Sequence, residues 1–156
     1  MARIVCGGQT GVDRAALDFA LARGIDYGGW CPRGGWAEDM PEPPGLLARY
    51  RALTPAASAD PARRTLLNAR DTDATLIVTM GPAHSPGTRL TMSACARLGR
   101  PVTVLDLLDG TPRGAAQADA VVLNVAGPRE SEAPGIYARC LRALEEVLTA
   151  EPAGAR

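Results

Sequence analysis

The sequence contains no lysine: all seventeen of its basic residues are arginine, and they balance seventeen acidic residues. Without lysine, the chain cannot form a Schiff base through a side-chain amine and cannot supply the lysine of a P-loop. A phosphate or carboxylate ligand must therefore be bound by arginine or by backbone N–H groups. Because the formal net charge is zero, no overall field attracts nucleic acid or an anionic membrane, and we expect neither as a partner.

Residues that bind metals are also sparse. The chain has one histidine, His84, and four cysteines, Cys6, Cys31, Cys95 and Cys140, with no C-x-x-C pair. This spacing argues against a zinc site, so we expect no bound metal and four buried, reduced thiols. No apolar run reaches the ~18–20 residues of a membrane span, and the N-terminus does not resemble a signal peptide. Together these features predict a cytoplasmic protein.

Aromatic residues make up only 4% of the chain, whereas apolar residues make up 46%. The core must therefore be built from alanine, leucine and valine. A chain of 156 residues has the size of one ordinary domain. We expect residues 1–150 to form that domain and residues 151–156 to be a flexible tail.

Short apolar runs alternate with segments of helical periodicity along the chain. The predicted strands are Arg3–Cys6, Tyr27–Cys31, Thr75–Thr79, Pro101–Leu105 and Ala120–Val125, and the predicted helices are Asp13–Arg23, Pro61–Arg70, Thr88–Leu98 and Pro134–Leu148. This alternation is typical of an α/β fold in which helices cover both faces of a sheet. We therefore predict a single three-layer domain with a mostly parallel sheet.

A glycine-rich loop follows the first predicted strand, with the sequence GGQTG from Gly7 to Gly11. Glycine permits positive φ and lets a ligand approach the main chain. Thr10 or Asp13 is a candidate N-cap of the helix that follows. A glycine turn at a helix N-terminus directs N–H groups and the helix dipole at one point, where phosphate binds well. The alternative is a tight turn without a ligand.

Three further segments follow predicted strands, and in parallel sheets ligands bind at the carboxyl ends of the strands. These segments are Cys31–Asp39, Gly81–Thr88 and Ala126–Ser131. The candidate ligand-binding residues of all four segments are Gly7, Gly8, Gln9, Thr10, Gly11, Asp13, Arg33, Glu38, Asp39, Ser85, Gly87, Thr88, Gly127, Arg129, Glu130 and Ser131. We expect the first and third segments to present two helix N-termini to one crevice.

Each of these candidates also has a structural interpretation. Arg33 and Arg129 could clamp an anion, but most arginines are simply solvated. Glu38 and Asp39 could bind sugar hydroxyls or a metal, or form a solvated acidic pair. Ser85 and Thr88 are equally well suited to capping a helix. Arg64 and Asn68, on a predicted helix, could reach the same crevice, and no catalytic residue is assigned.

Several motifs resemble the putative molybdenum carrier family. They occur in order as GGQTGVDRAALD from Gly7, GWCPRG from Gly29, AED from Ala37, RT at Arg64 with Asn68, DTDATLI from Asp71, LNVAGPRES from Leu123 and PGIY from Pro134. The resemblance spans Arg3 to about Leu148. That family is similar to the SLOG superfamily, which includes the LOG-type phosphoribohydrolases. The resemblance implies a Rossmann-like fold, a nucleotide-like ligand and a homo-oligomer.

The name of the family implies a carrier whose cargo is molybdenum cofactor, a pterin that bears a phosphate. The phosphoribohydrolases carry the motif P-G-G-x-G-T-x-x-E, whereas this chain has SPGTRLT from Ser85 and places Thr91 where the glutamate stands. A threonine cannot supply the carboxylate for glycosidic cleavage. We therefore expect a non-catalytic binding protein. The alternatives are an N-glycosidase for nucleoside 5′-monophosphates that uses Glu38 or Asp39, and a nucleotide-sensing regulator.

The predicted helix Thr88–Leu98 is apolar around much of its circumference, where it carries Leu90, Met92, Ala94, Cys95 and Leu98. A helix that covers one face of a sheet needs only one apolar stripe. The excess predicts a homodimer or higher homo-oligomer that pairs through this helix. Burial between the sheet and neighbouring helices is the alternative.

Overall fold

A computed structural model describes residues 1–110, the backbone of 112–113, and residues 120–149. The predicted tail, residues 151–156, lies outside the described residues. In chain order the elements are β1 (Arg3–Val5), α1 (Val12–Arg23), β2 (Asp26–Cys31), β3 (Leu53–Pro55), α2 (Pro61–Arg70), β4 (Ala74–Thr79), α3 (Pro86–Leu98), β5 (Val102–Asp106), β6 (Pro112–Arg113), β7 (Val122–Ala126) and α4 (Ile136–Thr149).

Seven strands form one sheet in the order β3-β2-β1-β7-β4-β5-β6. Six strands are parallel, and only the short edge strand β6 is antiparallel to its neighbour β5. Strand β7, the last in the chain, inserts between β1 and β4, where Leu123 pairs with Ile4 on one side and Ala74 on the other. The prediction of a single Rossmann-like α/β domain with a mostly parallel sheet is confirmed.

Helices cover both faces of this sheet. On one face, α1 packs against α4, and Phe19 and Leu144 belong to the main core together with Leu76 and Val78 of β4. On the other face, α2 packs against α3, and the Cys95 thiol of α3 lies 3.3 Å from the Thr75 hydroxyl of β4. Successive side chains of a strand point to opposite faces of the sheet. Because helices cover both faces, β4 is buried along its whole length.

Neighbouring strands β7 and β4 send the chain to opposite faces of the sheet. From the carboxyl end of β7 the chain continues into α4, and from that of β4 it continues into α3. In open α/β sheets, ligands bind outside the carboxyl ends of the strands near such a switch point. The loops at this edge, including those after β1 and β2, therefore contain the candidate site.

The predicted elements all form, with ends that differ by one or two residues, and α2 has the predicted bounds. Gly24 and Gly99 adopt the left-handed conformation that ends α1 and α3. Strands β3 and β6 were not predicted from the sequence. The first has only three residues and the second only two, so neither shows a detectable alternation. The irregular segment after β2 contains two short 3₁₀ turns, Arg33–Gly35 and Gly45–Ala48.

All four cysteines are buried and free of disulfides, as predicted. Burial raises the pKa of the Cys6 thiol well above its ordinary value, so this thiol is protonated and poorly reactive at neutral pH. Within the described ranges, no helix has the length and apolarity that crossing a membrane requires.

Leu123 provides a test of the central strand, because its side chain is 0% exposed between β1 and β4. Replacing Leu123 by alanine removes buried methyl groups and leaves a cavity, which should lower the free energy of unfolding by about 2–5 kcal/mol. The matched control is Val121→Ala, because Val121 is two residues away and 59% exposed. Urea denaturation should show a change of no more than ~0.5 kcal/mol for the control. Equal effects would contradict this placement of β7.

Candidate functional site

Two N–H groups of the glycine loop, and the first N–H group of α1, donate to acceptors within the chain. The N–H of Gln9 donates to Asp13 Oδ2 at 3.3 Å, that of Thr10 to Gln9 Oε1 at 3.0 Å, and that of Val12 to the Pro128 carbonyl at 3.3 Å. Gly11 is the N-cap of α1, and no side chain caps this helix, so the predicted capping by Thr10 or Asp13 is wrong. Both side chains instead make contacts outside the first turn of α1.

Gly11 adopts φ of 76°, and its position tolerates no side chain. A Cβ atom there would lie 2.5 Å from the Pro128 carbonyl oxygen and 2.8 Å from the Glu130 nitrogen. The sequence predicted close approach of a ligand at this glycine. The structure shows that the backbone of 128–130 approaches it, so Gly11 is required to join two loops whether or not a ligand is present.

Glu38 joins three loops through hydrogen bonds to its carboxylate. The Thr10 hydroxyl donates to Oε1, and the Ser131 hydroxyl donates to Oε2 at 2.6 Å. The Glu38 N–H donates to Gln9 Oε1 at 3.0 Å, and the Arg129 guanidinium lies 3.7 Å from Oε2. Burial alone would raise the pKa of Glu38, but the hydrogen bonds from Ser131 and Thr10 outweigh it and lower the pKa below its ordinary value. We call this contact the Glu38 junction.

A bidentate ion pair lies beside this junction. Arg14 Nη1 and Nη2 contact the two carboxylate oxygens of Asp39 at 2.7 and 2.8 Å, and the same guanidinium donates to the Gly8 carbonyl. The hydrogen bonds from Arg14 hold the pKa of Asp39 below its ordinary value. Asp39 is therefore paired with Arg14, and its side chain remains 41% exposed.

Asp18, one turn after Arg14 on α1, accepts three hydrogen bonds. They come from the hydroxyls of Tyr50 and Tyr137, at 2.6 and 2.7 Å, and from Arg49 at 3.0 Å. Burial, together with the bond to this carboxylate, raises the pKa of each tyrosine, so both hydroxyls remain protonated donors at neutral pH. Asp18 thereby fixes the segment around Arg49 against α1 and α4.

These groups line one open cleft of about 350 Å³. Its walls are Thr10, Gly11, Arg14, Asp18, Asp39, Arg49, Glu130 and Tyr137. The walls carry three carboxylates and two guanidinium groups, so their charge is mixed and not simply positive. Hydroxyl, carboxylate and guanidinium groups around one cleft of this size can bind and orient a small polar molecule.

Glu130 and Ser131 have structural roles at the edge of the cleft. The Glu130 carboxylate accepts hydrogen bonds from the N–H groups of Gly135 and Tyr137 and so occupies the N-terminus of α4. Ser131 belongs to the Glu38 junction. Arg129 pairs with Glu132 at 3.4 Å as well as with Glu38, and Arg33 is exposed and does not line the cleft.

The third predicted segment lies apart from this cleft. Ser85 caps α3 by accepting a hydrogen bond from the Thr88 N–H at 3.2 Å, and a Cβ added to Gly87 would meet open space. A separate cavity of about 330 Å³ lies here, lined in part by Gly81 and His84. The structure therefore does not place the first and third segments around the same cleft. Thr88 itself is buried.

Arg64 reaches from α2 to the glycine loop. Its guanidinium pairs with Asp13 at 3.1 Å and covers Gly7, where a Cβ would lie only 1.7 Å from the guanidinium. Burial, only partly offset by Arg64, raises the pKa of Asp13. Asn68 connects α2 to β2 by exchanging two hydrogen bonds with the Trp30 backbone. These residues support the floor of the site and do not line the cleft.

Gly127 resembles Gly7 in needing to be small. A Cβ there would lie 2.3 Å from the Val78 carbonyl oxygen, so this glycine permits close packing between the ends of β7 and β4.

Among the described residues, no group of three or more histidine, cysteine, aspartate or glutamate side chains could hold a metal ion.

The sequence analysis did not assign four of the residues that line the cleft to the site: Arg14, Asp18, Arg49 and Tyr137. One signal was available, because Arg14 and Asp18 are four residues apart and share a face of the helix that follows the glycine loop. Arg49 offered no such signal. It lies in an irregular segment, and only the tertiary fold brings it to Asp18.

Comparison with known proteins agrees with this architecture. The family model described as the circularly permutated YpsA SLOG family matches residues 4–148. The chain belongs to this SLOG family. The circular permutation fits a sheet whose last strand, β7, lies at its centre, because moving a strand–helix unit to the other end of a chain leaves its place in the sheet unchanged.

A solved structure gives a second comparison for this SLOG protein. The chain is similar to a crystal structure of the putative molybdenum carrier protein from Syntrophus aciditrophicus SB, with a TM-score of 0.80, 35% sequence identity and 93% of each chain covered. A search of curated proteins finds no match. The family and this neighbour support a small-molecule-binding role.

The Glu38 junction can be tested by stability. Glu38→Ala removes a charged acceptor from Thr10 and Ser131 and should lower the free energy of unfolding by about 1.5–3 kcal/mol. Because its pKa is lowered in the folded state, Glu38 stabilises the fold above its ordinary pKa of 4.5, and this contribution disappears as the pH falls through the folded-state value.

The variant should therefore differ from the wild type at neutral pH and converge with it in acid. The control is Glu42→Ala, because Glu42 is exposed in the same segment and its side chain has no hydrogen bond within the described ranges. Urea denaturation at several pH values measures both. A deficit for Glu38→Ala that stayed constant down to low pH would contradict the assigned contacts.

Proposed function

We propose that the protein binds a phosphate-bearing small molecule in the cleft between α1, α4 and the segment around Arg49. The observation that carries this proposal is the convergence of Arg14, Arg49, Tyr137 and the N-terminus of α1 on one cleft of about 350 Å³. Molybdenum cofactor, a pterin that bears a phosphate, is the leading candidate for the cargo. The name of the neighbour from Syntrophus aciditrophicus supports this choice.

Arg49 is the residue best suited to meet the phosphate. The Arg14 guanidinium already donates through all three of its nitrogens, to Asp39 and to the Gly8 carbonyl. Within the described part of the chain, Arg49 donates only through Nη2, to Asp18, and its side chain is 56% exposed. A guanidinium has five N–H donors, so Arg49 can bind an anion without leaving Asp18.

The mixed charge of the cleft limits the kind of ligand that fits. Three carboxylates outnumber two guanidinium groups, so a ligand that consisted only of phosphate would meet repulsion. A ligand with one phosphate and a polar heterocycle fits better, because the ring N–H groups can donate to carboxylate oxygens. A pterin phosphate and a nucleoside monophosphate both have this combination.

The N-glycosidase alternative has little geometric support. Thr91, which stands at the glutamate position of the hydrolases, is buried and donates to the Gly87 carbonyl. Glu38 and Asp39 are both engaged as acceptors, and each has a lowered pKa. Each is therefore ionised at neutral pH, so it has no proton to donate and is a weak base. A nucleotide-sensing regulator would use the same cleft without catalysis and differs from a carrier only in what binding controls.

Calorimetry with matched ligands tests the phosphate assignment. The probes are a pterin phosphate and a nucleoside 5′-monophosphate, each compared with its dephosphorylated form. Arg49→Ala should weaken binding of the phosphorylated form by about 1.5–3 kcal/mol, roughly tenfold to a hundredfold, and should leave the dephosphorylated form unchanged.

The matched control is Arg33→Ala, because Arg33 belongs to the same connecting segment but is exposed away from the cleft. It should leave both affinities unchanged. If Arg33→Ala lost the preference for the phosphorylated form and Arg49→Ala kept it, the phosphate would bind outside this cleft. Release of free base during incubation with a nucleoside monophosphate would favour the N-glycosidase.

A further inference from the structure

A second feature lies on the opposite face of the sheet, between α2 and α3. Here a groove of about 250 Å³ has an apolar floor formed by Leu67 and Ala94. Leu66 and Leu98 stand at its sides, 37% and 46% exposed. Because the cleft is lined by α1 and α4, this groove is independent of the proposed ligand site.

The rim of the groove carries positive charge. Arg63 and Arg70 lie seven residues apart on the same face of α2, and Arg97 faces them from α3. Arg70 pairs with Asp71, but no carboxylate among the described residues pairs with Arg63 or Arg97. In a chain whose formal net charge is zero, an apolar groove with a rim of arginines is a local departure from the average surface.

We propose that this groove docks an acidic amphipathic helix of a partner protein. A groove between two helices accepts the apolar side chains that a third helix presents at positions i, i+3, i+4 and i+7. Carboxylates on the flanks of that helix would pair with the guanidinium groups of Arg63 and Arg97. Complementary charge of this kind speeds association and selects the partner.

Charge also argues against a second copy of this chain at the same groove. In a twofold interface the same patch meets itself, so the arginine rim would meet the arginine rim of the second copy. Like charges brought together across an interface oppose association. The predicted homodimer through α3 is therefore the competing occupant, and the test must distinguish it from an acidic partner.

The probe is a synthetic helix with leucines on one face and glutamates on the other, labelled for fluorescence anisotropy. The matched probe has lysine in place of every glutamate. We expect the glutamate peptide to bind the wild type about tenfold more tightly than the lysine peptide, with an affinity that falls as salt is added. The double variant Arg63→Glu, Arg97→Glu should lose this roughly tenfold preference for the glutamate peptide.

Two control variants separate the groove from the rest of the surface. Arg139→Glu reverses an exposed arginine on α4, and Leu21→Ser removes a leucine of α1 that is 47% exposed; both should bind like the wild type. Leu98→Ser should weaken the glutamate peptide while circular dichroism shows the native fold.

Equal binding of the two peptides, or no binding of either, would overturn the proposal. So would light scattering that shows a wild-type dimer at micromolar concentration and a monomer for Leu98→Ser, because a second copy would then cover the groove. The cleft is separate from this groove, and its phosphate-dependent binding is measured in a different experiment. Failure of the peptide to bind the groove would therefore leave the proposed function unaffected.

Discussion

The carboxylate of Glu38 holds three loops in fixed positions at the carboxyl edge of the sheet. It accepts hydrogen bonds from Thr10, which follows β1, and from Ser131, which follows β7, while Glu38 itself follows β2. Loops are ordinarily the mobile parts of an α/β domain, and function needs them to be positioned by a scaffold. A charged acceptor with several donors provides that positioning, and the close contact at Gly11 provides the necessary space. Thr10 and Gly11, which take part in these two contacts, line the cleft.

Most of the fold follows from the spacing of apolar residues and from the glycines that end helices. Continuous apolar runs predict buried parallel strands, and β4 has that pattern and is buried throughout. Glycines after helical segments predict their ends, as Gly24 and Gly99 show. The order of the strands is different, because no local pattern states that the last strand pairs with β1 and β4. Pairing between distant segments depends on tertiary packing, which sequence periodicity does not encode.

The candidate site was predictable in its location but less so in its contacts. The glycine loop and the segment around Glu38 were assigned to one edge of the sheet, and the structure joins them. Glu38 and Asp39 were considered as ligand residues, yet both are held by partners within the chain. An exposed acid and a partnered acid look the same in a sequence. Asp18 was not predicted as a site residue. Its hydrogen-bond donors come from residues 49, 50 and 137, which only the fold brings together.

Mass spectrometry of the small molecules released from freshly purified protein tests the central claim most directly, namely that this cleft holds a phosphate-bearing molecule. We predict that the wild type releases such a molecule and that Arg49→Ala, purified in parallel, releases much less of it. A molecule without phosphate, retained equally by both proteins, would contradict the account.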